Sequence, residues 1–189
     1  MTCPADTRAS FNSNTPPIYN PGFVSDPADP DHGRQNNQGF EGLTISPDGN
    51  TLWVMLQSAA RQDGGASSSK RRNTRFLKYS LARANDGAVT VTYAAEYVVP
   101  LATFTNAAGS TRVAAQSEIH YVSDTQFLVL GRDSSVGRGT ADPVSRYRHV
   151  DIVDITSATN IKGPQFDDIR NGNITSGGIE KAGKCRPHI

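Results

Sequence analysis

Three side chains in this sequence stand where charge could act on a substrate: Glu41, Glu118 and Arg132. Glu41 lies in Gly39-Phe40-Glu41-Gly42, directly before an apolar run, and Glu118 lies in Gln116-Ser117-Glu118-Ile119 before another. Two carboxylates brought to one channel could hold a hard, oxygen-seeking cation such as Ca²⁺. They could also divide general acid and general base between them. Equally, each could accept backbone N–H bonds and fix the packing of neighbouring elements. Arg132, followed by Asp133, closes the run Phe127-Leu128-Val129-Leu130-Gly131. Its planar fork matches the oxygens of a phosphate or oxyanion, whereas a salt bridge to Asp133 or Glu118 would make it structural. His120, two residues beyond Glu118, shares its face if that segment is a strand. It would serve there as a proton shuttle or simply as a packed strand histidine. Ser58 lacks the Gly-x-Ser-x-Gly setting of a nucleophile elbow. No Cys/His spacing points to zinc, and no Gly-rich loop points to a nucleotide.

The two glutamates belong to a repeat. Glu41 and Glu118 stand 77 positions apart (118 − 41), as do Ser46 and Ser123, while Phe76–Leu81 matches Val150–Ile155 at an offset of 74 (150 − 76). A repeat of strand-rich units points to a propeller or an array. The first unit predicts strands over 42–46, 51–57, 74–81 and 89–99, with Asp48-Gly49 turning between the first two. Gly tolerates positive φ there and Asp bonds its own backbone. The second unit predicts strands over 118–123, 126–131 and 147–155, with a weaker one near 159–163. The expected fold is all-β: an incomplete β-propeller of about two four-stranded antiparallel blades with irregular ends. Its expected divisions are a polar, loop-like segment 1–38, blades 39–100 and 101–163, and a tail 164–189 that reads like a mispredicted exon or a frame change. Propellers close with four to eight blades, and two would leave large apolar faces bare. The chain therefore reads as a segment of a longer propeller. A small β-sandwich with similar hairpins is the alternative.

Composition narrows the partners. A formal charge of +1 gives no general pull toward nucleic acid or anionic membrane. No stretch reaches the ~18 apolar residues of a membrane-spanning helix. The amino end lacks the charged start and apolar core of a signal peptide. The two cysteines, Cys3 and Cys185, could pair with each other, pair elsewhere, or remain thiols. Asn173-Ile174-Thr175 is a glycosylation sequon that matters only in a secreted parent. The basic run Ser67–Arg75 follows Gly64-Gly65 and reads as a solvated loop between strands.

Taken together, Asn37-Gln38-Gly39-Phe40-Glu41-Gly42-Leu43-Thr44-Ile45-Ser46-Pro47-Asp48-Gly49 with Leu56-Gln57-Ser58 resembles the phytase-like domain, "esterase-like activity of phytase". Gln116-Ser117-Glu118-Ile119 with Gly131-Arg132-Asp133 resembles a second signature of that family. Tyr147-Arg148-His149-Val150-Asp151, followed by Ala158–Gly163, is similar to fungal-type secreted members. The resemblance covers about residues 36–163 and implies a β-propeller, exported, with hydrolase activity on phosphoric or carboxyl esters. It does not extend to the calcium-dependent propeller phytases, whose metal motifs are absent from the sequence. Gly131 departs from the acidic residue many relatives carry before Arg-Asp. Members longer than this chain imply blades on either side of it. Three roles follow: part of a secreted ester or phosphoester hydrolase using Glu41, Glu118 and Arg132, a non-catalytic propeller that binds a ligand, or an inactive truncated gene product. The chain alone is expected to be inactive.

Overall fold

A computed structural model describes residues 34–35, 38–134, 136–137, 140, 142–163, 166 and 174, together with the backbone of 184–186. Cys3, the segment before residue 34, and Asn173 and Thr175 of the sequon lie outside the described residues, as does the side chain of Cys185.

The first sheet is antiparallel and runs in chain order: β1 (Phe40–Ile45), β2 (Thr51–Leu56), β3 (Asn73–Arg83) and β4 (Val89–Pro100). The β1–β2 turn is the expected one. Gly49 has φ 72°, and Asp48 accepts hydrogen bonds from the Ser46 hydroxyl, from the Asn50 N–H at 3.0 Å and from the Asn50 amide at 3.0 Å. After a short hairpin of β5 (Thr103–Thr105) and β6 (Thr111–Val113), the second sheet follows. It contains β7 (Ala115–Tyr121), β8 (Gln126–Arg132), β9 (Arg148–Asp154) and, as the edge strand, β10 (Lys184–Arg186). The all-β, antiparallel expectation holds.

Two local expectations change. Residues 159–163 are not the fourth strand of the second sheet, which is Lys184–Arg186 instead. Asn160 and Ile161 lie along the first sheet's β4. Asn160 Oδ1 accepts from the Glu96 N–H at 3.1 Å, and Ile161 N–H donates to the Glu96 carbonyl at 2.8 Å. Ile161 is buried against Val98, together with Ile174 and half-buried Phe166. An apolar side chain found cover on the neighbouring sheet, and the strand pairing it could have made was left to another segment.

The sheets pack face to face. Trp53, Met55, Phe76 and Val99 of the first meet Ile119, Phe127, Val129 and Val153 of the second. Trp53 stacks on Phe76 with ring centroids 4.9 Å apart and tilts against Phe127 at 4.7 Å. Such aromatic contacts add about 0.5–1.5 kcal/mol beyond area burial. The innermost strands are also tied by polar contacts. Tyr121 N–H donates to Thr44 Oγ1 at 3.2 Å, and Gln116 N–H donates to the Gln57 carbonyl at 3.1 Å.

The ladders fix the repeat differently from the side-chain match. The β1–β2 register slips between Phe40 and Gly42, making Glu41 the extra residue of a β-bulge, and the β7–β8 register slips between Gln116 and Glu118, making Ser117 the extra one. By register, then, Glu41 corresponds to Ser117, 76 positions on (117 − 41), and Glu118 corresponds to Gly42. The third strands keep the expected 74, since Leu77 lies opposite Val54 and Asp151 opposite Val129. The matching glutamates are thus one residue out of step, because a bulge is a backbone event that side-chain identity does not record.

Val54 of the first sheet corresponds to Val129 of the second, yet Val54 points away from the second sheet while Val129 points at the first. The front of one sheet therefore packs on the back of the next.

Candidate functional site

Antiparallel pairing brings the start of β1, the end of β2, the start of β7 and the end of β8 to one end of the two sheets. There the bulge lifts Glu41 out of the alternating pattern, and Arg132 reaches it from the second sheet. Arg132 Nη2 lies 3.8 Å from Glu41 Oε2, with the two side chains 39% and 35% exposed. An exposed pair of this kind adds at most about 1 kcal/mol of stability. Arg132 keeps most of its donor fork open to a ligand oxygen.

Glu118 does not join them. It is exposed on the outward face of the second sheet, and its Oε1 accepts from the Ile119 N–H at 2.9 Å. His120 shares that face and is exposed, in place of the packed strand histidine that was one of its two expected roles. Ser58 is buried and donates to Gln38 Oε1. Nor does Arg132 pair with Asp133. Asp133 anchors the following loop, accepting from the Ser145 hydroxyl at 2.7 Å, the Tyr147 N–H at 3.2 Å and the Arg146 N–H. Burial pushes its carboxyl up, but these three donors outweigh burial and hold it below the ordinary carboxylate value.

Beside this end lies a cleft of about 580 Å³ between the β5–β6 hairpin, the β2–β3 loop and the loop after β8. Arg71 and Arg112 both line it, as do Gln38, Gln57 and Asp142. Burial, and then the charge of Arg112, hold the Arg71 guanidinium below its ordinary pKa. Arg71 Nε makes one long bond to the Ser67 carbonyl at 3.5 Å, and Arg112 Nη1 bonds the Thr111 carbonyl at 3.1 Å. The basic run is thus only partly the solvated loop expected. Lys70 and Arg72 are exposed, Arg71 is half-buried, and Arg75 is fully buried, 2.7 Å from Asp63 Oδ2. Arg112 carried no sequence signal, because its hairpin strands are only three residues each.

Among the described residues, no three His, Cys, Asp or Glu side chains gather as a metal site. No helix among them is long and apolar enough to cross a membrane.

The family model "Phytase-like: Esterase-like activity of phytase" matches residues 8–175, extending past both ends of the resemblance read from the motifs. A protein of Arthroderma benhamiae, described as an "Uncharacterized secreted protein", is 45% identical over 175 residues, covering 89% of this chain and 33% of that protein. The chain thus spans about a third of the length of this relative. No solved structure matches it. With the family match running through both sheets and their shared end, the chain belongs to the phytase-like family.

Proposed function

We propose that the chain is part of an exported phytase-like β-propeller that hydrolyses phosphoric or carboxyl esters. The propeller is supported by the front-to-back packing, since a rotation repeats one joint whereas a two-fold axis would pair like faces. It also has somewhere to continue. Val122, Leu130 and Val150 on the outer face of the second sheet are 52%, 38% and 46% exposed, and Leu43 and Ile45 on the back of the first are 58% and 44% exposed. Flanking blades of a longer protein would cover these patches, each of a kind that monomers seldom leave bare. Export rests on the secreted relative.

The observation that carries the hydrolase reading is the Glu41–Arg132 pair, one residue from each sheet at a shared strand end. In this reading Arg132 binds the non-bridging oxygen on which charge develops during attack. Glu41 takes a proton from the attacking water and returns it to the departing alkoxide. Glu118, exposed on the outward face of the second sheet with its oxygen on the Ile119 N–H, stands outside this scheme. In the full-length protein, Arg132→Ala and Glu41→Gln should each lower ester turnover about 100-fold, the scale of losing one such group, with melting unchanged. Unchanged turnover in both would remove the pair from the chemistry.

A second reading, a non-catalytic binding module, is favoured by the cleft, whose described lining includes neither Glu41 nor Arg132. It predicts ligand binding that survives both substitutions in a protein without turnover.

A further inference from the structure

The cleft beside the strand ends has chemistry that the hydrolase reading does not use. It brings two guanidinium groups together with no carboxylate paired to either among the described residues. The acid that lines the same space, Asp142, is taken by Arg146 at 3.2 Å. Burial, and then the like charge of Arg112 in the same space, destabilise the Arg71 guanidinium. An anion between them removes that penalty and fills donors that backbone carbonyls leave open.

A second observation comes from Gln57. It is 8% exposed, it lines the cleft, and its Oε1 has no hydrogen-bond partner among the described residues. A buried acceptor without a donor keeps its full desolvation penalty uncompensated. An oxyanion without hydrogen would leave that acceptor unmatched, or repel it. One that carries a hydroxyl satisfies it. The remaining walls mix apolar Ala107, Ala108, Val113 and Phe104 with uncharged polar Gln38 and Asn106.

We infer that this cleft is a binding site for a protonated oxyanion, with Arg71 and Arg112 on its charged oxygens and Gln57 accepting from its hydroxyl. Hydrogen phosphate is the simplest such ligand. A phosphate monoester meets the same chemistry when its phosphate is singly protonated or a neighbouring hydroxyl reaches Gln57. The site is separate from Glu41 and Arg132, so its occupancy does not depend on any hydrolytic step.

The test is equilibrium binding to the full chain by calorimetry, with inorganic phosphate and inorganic sulfate at pH 7 and constant ionic strength. Phosphate should bind and sulfate should bind at least tenfold more weakly. Arg71→Ala and Arg112→Ala should each weaken phosphate at least tenfold. Gln57→Met, which keeps the side chain's length, should bring phosphate close to sulfate while leaving sulfate unchanged. Arg132→Ala should leave phosphate binding as it was, which separates this site from the hydrolytic pair. Absent phosphate binding, or binding indifferent to both Arg71 and Arg112, overturns the site. Equal phosphate and sulfate affinity overturns the role of Gln57 and the protonated ligand with it. If either arginine variant unfolds, Arg71→Lys and Arg112→Lys provide the arm. Each keeps charge but loses the guanidinium fork, so an unchanged affinity in both would overturn the part given to the two guanidinium groups.

Discussion

Gly42 lies directly against Gln116 across the junction of the two sheets. A Cβ built on Gly42 would stand 2.7 Å from Gln116 Oε1 and 2.8 Å from Ile119 Cγ2. Gln116 is fully buried and donates its amide to the Met55 carbonyl at 3.0 Å, so it has little freedom to give way. Gly42→Ala should therefore destabilise the protein by about 1–3 kcal/mol through overpacking. Chemical denaturation would show it as a lowered midpoint at unchanged slope, and a loss under 0.5 kcal/mol would mean that the junction yields.

The charged groups inside the first sheet should behave unlike those at its end. Arg75 is buried with Asp63 Oδ2 at 2.7 Å, Glu96 Oε1 at 3.4 Å and the Phe166 carbonyl at 2.7 Å. Asp63→Ala leaves this guanidinium short of its nearest counter-charge and should cost about 3–5 kcal/mol. Glu41→Ala, at the exposed pair, should cost no more than about 1 kcal/mol. Comparable losses in the two variants would contradict this ranking.

Acid should loosen the loop after β8 before it unfolds the sheets. The Asp133 carboxyl is depressed in the fold, so its contribution is present above the ordinary carboxylate value, near 4, and is lost as pH falls through the lower folded value. The Arg146 and Tyr147 amides, which donate to Asp133, should lose hydrogen-exchange protection over that interval. In Asp133→Ala they should be unprotected at every pH. Protection that ignores acidification in the parent protein would sink the assignment.

The roles of the two glutamates can be separated kinetically. Glu41 faces Arg132, whereas Glu118 has its oxygen on a backbone N–H. In the full-length protein Glu41→Gln should lower kcat about 100-fold, while Glu118→Gln should change it by less than about tenfold, since its single hydrogen bond contributes about 1 kcal/mol. A Glu118→Gln loss as deep as that of Glu41→Gln would restore the two carboxylates as equal partners, with a shared cation as the simplest reason.

Val150 tests whether further blades cover the outer face. It is 46% exposed in this chain. If a neighbouring blade lies over it in the longer protein, Val150→Asp should destabilise by several kcal/mol through an unpaired buried charge. A solvent-facing position would tolerate the change within about 0.5 kcal/mol.

Local structure was legible in the residues to a good depth. Asp48-Gly49 set a turn, the β-branched and aromatic runs set strands, and their antiparallel order followed from short connections. What stayed hidden depends on partners distant in sequence. Nothing near Arg75 announces that Asp63 and Glu96 close around it, so a buried ion pair looked like part of a basic loop. Glu41 and Glu118 matched as letters, yet hydrogen-bond register makes Ser117 the counterpart of Glu41. The chemistry of Arg132 is readable from its type, but its partner Glu41 stands on the other sheet. Arg112 was invisible because only the fold sets it beside Arg71.

The joint between the sheets is heterologous: each sheet offers one surface and receives on another. A self-matching joint stops at two members, but this one leaves a socket at one end and a plug at the other. Growth by the same step ends cleanly only where the last plug meets the first socket, in a ring. Outside such a ring the free surfaces Leu130–Val150 and Leu43–Ile45 remain mutual targets, and molecules of this chain carry the means to string together head to tail.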